Sequence, residues 1–151
     1  MSNLISRTFE KKNKKLITFL TGGDPDFNTS YEILKIIIEN KIDLLEIGMP
    51  FSDPMADGPT IQLSSNRALS KGIDLNHIFK LSSGVKLINN NMPVILMGYY
   101  NVILHFGIKR FVEDCVTNGV DGLIIVDLQP EEDDELIVEL KKNNIDLIRL
   151  I

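Results

Sequence analysis

Short β-rich apolar runs alternate with helical patterns along the whole chain, and that alternation leaves few architectures open to it. The runs are Leu16–Leu20, Ile42–Ile47, Val94–Met97, Leu123–Val126 and Ile145–Ile151. Each is too short for a core helix and is bounded by turn residues, so each reads as a strand. Between them, apolar residues recur at helical spacing in Thr29–Asn40 (Tyr31, Leu34, Ile37 and Ile38 on one face), Leu75–Ile88, Ile108–Thr117 and Glu131–Lys142. A short helix is expected near Leu4–Glu10. Asn28, Asp74 and Gln129-Pro130 stand where helix starts belong, Pro130 suiting a first helical position, and Gly119 follows its helix as a stop signal. The acidic run Glu131–Glu135 complements a helix dipole and needs no ligand. Strands alternating with helices make this an α/β chain with a parallel sheet.

The strand starts recur at roughly 25 to 27 residues, with one enlarged unit between the second and third strands. Two architectures accept that spacing: a complete doubly wound, flavodoxin-like sheet, or the first five strands of a (β/α)8 TIM barrel of about 250 residues. No helical segment follows the fifth run, and parallel strands need both faces covered. The expectation is therefore a partial barrel, residues 1–151 forming the N-terminal part of a single TIM-barrel domain with strands six to eight absent.

Charge and cysteine content narrow the function. A net charge of -5 over 151 residues supplies no basic field for a phosphate backbone, so nucleic acid is not an expected partner. The single Cys115 cannot form an internal disulfide, and with two His it cannot build a Cys-rich zinc cluster, so no metal and a cytoplasmic setting are expected. Lys11–Lys15 before Leu16–Leu20 has the charge order of a signal peptide, but the apolar stretch is shorter than the roughly seven residues a signal needs. The basic run reads instead as a solvated approach to the first strand. No stretch of about 18 apolar residues exists to span a bilayer.

Chemistry concentrates after the second strand. Alternation places Glu46 on the same face as Ile42 and Leu44, pointing a carboxylate into an apolar interior. Either it pairs with a cation, or it is a general acid whose pKa burial raises, near the C-terminal strand end where α/β folds collect their active sites. The following loop, Pro50 to Thr60, carries three prolines, Gly58 and the carboxylates Asp53 and Asp57. Asp53 before Pro54 and Asp57 before Gly58 each have a plain turn-forming explanation. A second carboxylate here, differently solvated, can also face Glu46 across a substrate and take a different role. His77 and His105 have no nucleophile beside them in the pattern and read as structural or surface residues. Cys115 reads as helix packing, and Asn89-Asn90-Asn91 as a helix-ending loop.

The stretch Leu45-Glu46-Ile47-Gly48-Met49-Pro50-Phe51-Ser52-Asp53-Pro54-Met55-Ala56-Asp57-Gly58-Pro59-Thr60-Ile61-Gln62 closely resembles the signature of the tryptophan synthase alpha chain family. Phe19 to Pro25, Met97 to Asn101 and Gly119 to Leu123 leading to Asp127 extend the resemblance through the chain. It implies a (β/α)8 barrel that cleaves indole-3-glycerol phosphate to indole and glyceraldehyde 3-phosphate by a retro-aldol reaction, without organic cofactor or metal. Glu46 then corresponds to the acid/base that protonates the indole ring carbon, and Asp57 to the partner that stabilises charge at the indole nitrogen. Phe19, Met97 and Tyr99 correspond to residues lining the indole pocket, although Phe19 and Met97 suit plain core packing equally.

The resemblance also implies a partner, the tryptophan synthase beta chain in an alpha2beta2 heterotetramer. The partner would carry pyridoxal phosphate and meet this chain through Asp53–Thr60 and a Tyr99–Asn101 turn. Two details depart from the family pattern: Gln129-Pro130 after the fourth strand, and Met49 in place of a more usual Val or Ile. The family's phosphate-binding loops follow strands seven and eight, and Gly22-Gly23 lacks the spacing to replace them. A chain of these 151 residues alone is therefore expected to lack appreciable cleavage activity, its sheet edges exposed and its phosphate clamp missing. A non-catalytic fragment that binds and regulates a beta-chain partner is the alternative from a different class. Another phosphate-binding barrel enzyme, such as an isomerase of the same pathway, fits Pro50–Gln62 poorly.

Overall fold

A computed structural model describes residues 4–10, 12–129, 132 and 134–150. Helix α1 (Leu4–Glu10) precedes strand β1 (Ile17–Thr21). Then follow α2 (Phe27–Glu39), β2 (Leu44–Gly48), α3 (Pro59–Ser70), α4 (Leu75–Ile88), β3 (Val94–Gly98), α5 (Tyr100–Phe106), α6 (Ile108–Thr117), β4 (Gly122–Ile125), α7 (Asp134–Lys142) and β5 (Asp146–Ile148). Every strand pairs in parallel with the next one along the chain, in the order β1-β2-β3-β4-β5. A doubly wound sheet reverses direction after its first strands. This one never does, which is the order of a barrel wall.

The two sheet faces have different neighbours. Leu45, Ile47, Val94, Leu96, Leu123 and Ile125 pack beneath the helices, against residues such as Leu34, Ile78, Phe111 and Leu136. The opposite face is a narrower apolar lining of Leu44, Ile95 and Ile124, closed at one end by Ile5 of α1. A methyl added at Gly122 would lie 2.8 Å from the end of the Ile5 side chain, so α1 sits directly against the strand starts. Among the described residues, no helix is long and apolar enough to cross a membrane.

Several boundaries follow from local chemistry. Asp74 caps α4 by accepting from the His77 amide, while the His77 ring reaches back to the cap, so His77 is structural as expected. Helix α6 ends in a Schellman turn: Gly119 has φ of +72°, and the Val120 amide donates to the Cys115 carbonyl at 2.9 Å. Cys115 itself is fully buried on that helix, and burial pushes its thiol up.

Other boundaries correct the sequence reading. Helix α2 is capped by Asp26, not Asn28, because both Asp26 carboxylate oxygens are taken by the Thr29 amide and hydroxyl. Ile42 does not share the Glu46 face: β2 begins only at Leu44, and Ile42 packs on the helix side. Helix α3 was hidden because its buried face is Ser64, Ser65 and Ala68 rather than large apolar residues. Helix α5 occupies what looked like a turn at Tyr99–Asn101. Lys11, Pro130, Glu131 and Ile151, which the sequence assigns to the basic approach, the last helix start and the last strand end, lie outside the described residues.

At the start of the strands, one carboxylate joins three elements. Asp121 Oδ2 accepts from Lys86 Nζ of α4 at 2.6 Å and from the Val94 amide of β3 at 2.8 Å, just before β4. Lys86 also donates to the Met92 carbonyl, and both charged side chains are mostly buried. Asp121→Ala would strand that cation and an amide, and is expected to cost about 2 to 4 kcal/mol; urea unfolding midpoints of the two proteins check this.

Candidate active site

The C-terminal ends of β1, β2, β3 and β4 are laced in order by backbone bonds. The Gly22 amide donates to Gly48 O at 2.9 Å, Met49 to Met97 O at 2.7 Å and Val126 to Gly98 O at 3.0 Å. This stepwise tie brings the side chains at the strand tops onto one rim. Gly48 leaves room there for the Phe19 ring, which covers that position: a Cβ would lie 2.8 Å from its Cζ.

A small pocket opens at this rim, walled by Phe19, Gly48, Phe51, Asp57, Met97 and Tyr99 among others. Three of the expected pocket residues, Phe19, Met97 and Tyr99, therefore converge with the expected carboxylate Asp57. The space that a water centre can occupy inside it is only about 20 Å³, roughly room for one water. The Phe51 ring lies against Tyr99, centroids 5.2 Å apart, and closes the slot.

Glu46 stands below this pocket rather than in its wall. It shares the concave face with Leu44 and pairs in register with Phe19 of β1 and Ile95 of β3. Its position is two residues before Gly48, roughly 7 Å along the strand. The side chain is half-buried, and burial raises its pKa above the ordinary 4.5. No cation pairs with it among the described residues, so the ion-pair reading of Glu46 has no counterpart here.

The loop separates its two aspartates. Asp53 is exposed and bonded to the neighbouring Ser52 hydroxyl. Asp57 turns inward, where the Tyr99 hydroxyl donates to its Oδ2 at 3.0 Å. The loop backbone is held by Asp57 N donating to Pro54 O and by Gln62 Nε2 donating to Asp57 O. Burial raises the Tyr99 phenol's pKa, and the adjacent Asp57 carboxylate adds to that rise. Phe51 and Asp127 stood in the sequence only as members of the motifs that carry the resemblance, with no role assigned to either. Asp127 accepts from the Tyr100 amide at 2.8 Å and so secures the start of α5, and burial raises its pKa. Their contacts, visible only in the tertiary structure, give each a place in the site.

Comparison with known proteins is decisive on the family. The family model described as tryptophan synthase alpha chain matches residues 5–151. This chain belongs to that family. The tryptophan synthase alpha chain of Desulfatibacillum aliphaticivorans is 47% identical over 153 residues, covering 97% of this chain and 57% of the relative. That of Geotalea uraniireducens (strain Rf4) is 49% identical over 142 residues, covering 93% and 53% respectively. The solved tryptophan synthase subunit alpha of Legionella pneumophila superposes with a TM-score of 0.91 at 36% identity, covering 97% of this chain and 58% of that one. The chain thus spans a little over half the length of these relatives, and its five strands form part of the family's TIM barrel.

Within a tryptophan synthase alpha fold, a half-buried carboxyl with a raised pKa has a measurable consequence for stability. Below 4.5, the unfolded value, Glu46 is neutral in both states and its burial is free of charge cost. As pH rises through the higher folded value, ionisation in a partly dry site removes stability. Glu46→Gln is therefore expected to be more stable than wild type at neutral pH, with the difference vanishing below pH 4.5; paired denaturant titrations across that range check the sign.

Proposed function

We propose that the whole protein cleaves indole-3-glycerol phosphate into indole and glyceraldehyde 3-phosphate, with Glu46 and Asp57 as its catalytic pair. The observation that carries this reading is the convergence of Phe19, Met97, Tyr99 and Asp57 on one pocket above Glu46, at the C-terminal ends of parallel strands. Apolar walls with a few directed polar groups suit a flat heterocycle. Burial favours the neutral form of Glu46, the form able to donate a proton to the ring carbon that bears the glycerol chain.

The chemistry needs two carboxylates of different character. Protonating that carbon turns the indole into its indolenine tautomer, and Asp57 stabilises the charge at nitrogen while it takes up the nitrogen proton. The carboxylate left on Glu46 then accepts the proton of the adjacent glycerol hydroxyl. The carbon-carbon bond breaks, its electrons flow towards the ring nitrogen, and Asp57 returns the proton there. Indole and the aldehyde result with no net proton consumed and no redox partner.

Residues 1–151 serve in this reading as the N-terminal part of one TIM-barrel domain, working in the cytoplasm. The phosphate is held by loops after later strands of the barrel. The Asp53–Thr60 stretch, together with Asn101 at the start of α5, faces the tryptophan synthase beta chain in an alpha2beta2 assembly. Met55 on that stretch is 92% exposed, and Asn101 lies on a largely apolar cleft of about 410 Å³ whose walls include Phe51, Leu69, Ile73, Val102 and Phe106. Pyridoxal phosphate belongs to the partner.

In the full-length protein, Glu46→Gln and Glu46→Ala are expected to lower kcat for indole release by at least about 10²-fold while substrate still binds. Steady-state assays with calorimetric binding test this, and normal turnover in either variant removes Glu46 from the acid/base role. Asp57→Asn is expected to reduce kcat strongly as well, since an amide cannot take the nitrogen proton.

A further inference from the structure

Three points of the loop after β2 converge on a side chain from the end of β3. Tyr99, only 5% exposed, accepts a hydrogen bond from the Ala56 amide at 2.9 Å and donates one to Asp57 Oδ2 at 3.0 Å. Its ring lies against Phe51, tilted by 32°. The backbone bonds of Asp57 to Pro54 and Gln62 fix where the residue sits but leave its side chain free to turn. Among the described residues, the bond from Tyr99 is the one hydrogen bond made to the Asp57 carboxylate.

A phenol has one proton to give and lone pairs to accept with. In Tyr99 the Ala56 amide occupies the accepting side, so the proton is directed at Asp57. The hydroxyl therefore couples the path of the loop to the aim of the carboxylate, an arrangement that lining a hydrophobic slot does not require. A phenylalanine would line the slot equally well.

We infer that Tyr99 is a positioning residue for the proposed cleavage, its hydroxyl clasping the Ala56–Asp57 segment so that the Asp57 carboxylate is held facing the pocket. This role rests on the reaction proposed above. Proton transfer at the ring nitrogen needs the carboxylate within hydrogen-bond reach and correctly turned. An unclasped Asp57 spends much of its time in other rotamers, so losing the clasp slows the chemical step more than it weakens binding.

The test is Tyr99→Phe in the full-length protein, which keeps the ring and removes the hydroxyl. Loss of one hydrogen bond to a charged group is expected to lower kcat about 10- to 100-fold. KM for indole-3-glycerol phosphate should stay within about threefold, because the binding surface is retained. Hydrogen exchange at the Ala56 amide should accelerate, since its acceptor is gone. In an Asp57→Asn background the same substitution should cost less than about twofold, because a residue acting through Asp57 has nothing left to position.

Unchanged kcat in Tyr99→Phe, a rise in KM alone, or the full loss repeated in the Asp57→Asn background would each overturn this role while leaving the proposed reaction standing. Absence of indole release by the unmodified full-length protein would overturn the reaction itself and this role with it.

Discussion

Parallel pairing of each strand with its immediate successor is the constraint on which the rest of this structure depends. Each connection must travel back along the sheet before the next strand starts, and a right-handed crossover always returns on the same side. The larger apolar cluster, built from Leu45, Leu96 and Leu123 with Leu34, Ile78, Phe111 and Leu136, therefore forms on one face only. The other face keeps a narrow lining, and every loop that leaves a strand's C-terminal end arrives at the same rim.

That rim is where the chain departs from simple core-building. A carboxyl on the narrow face at Glu46 is raised in pKa by burial. Asp57 comes from a loop and is turned inward by the Tyr99 hydroxyl. The two acids thus differ in what surrounds them: one is governed by desolvation, the other by a directed hydrogen bond. In the proposed reaction that difference in surroundings is what makes one carboxyl group the donor and the other the charge stabiliser. The pocket beside Phe51 and Tyr99 is small, and the one loop after β2 supplies both the Phe51 ring and Asp57 to its wall.

Most elements were legible in the chain because their burial is strongly periodic. The Leu75–Ile88 and Ile108–Thr117 helices fall where the apolar spacing puts them, and all five strands lie within a few residues of the apolar runs. What escaped has a physical cause in each case. Helix α3 buries two serines and an alanine against its neighbours, so no hydrophobic stripe announces it. Helix α5 is seven residues long and carries the β-branched pair Val102 and Ile103, which reads poorly as helix. Asp26 outcompetes Asn28 as a cap because its carboxylate engages both polar groups of Thr29. Ile42 turned to the helix side because Lys41, with φ of +60°, lies between α2 and β2, and the strand's alternation starts only at Leu44.

The parallel α/β class and the candidacy of Glu46 and Asp57 were readable from residue type and spacing, whereas Phe19, Met97 and Tyr99 were marked only by the resemblance of the chain's motifs to the family. Three matters were left to the tertiary structure. Strand order, which separates a barrel wall from a doubly wound sheet, depends on pairing between segments far apart in the chain. So does the fate of two aspartates four residues apart, one facing solvent and one clasped by a tyrosine 42 residues further on. The tightness of the pocket likewise depends on a Phe51 ring meeting Tyr99. Local preference is written in periodicity, whereas contacts between distant segments arise only once the sheet has brought their ends to a common rim.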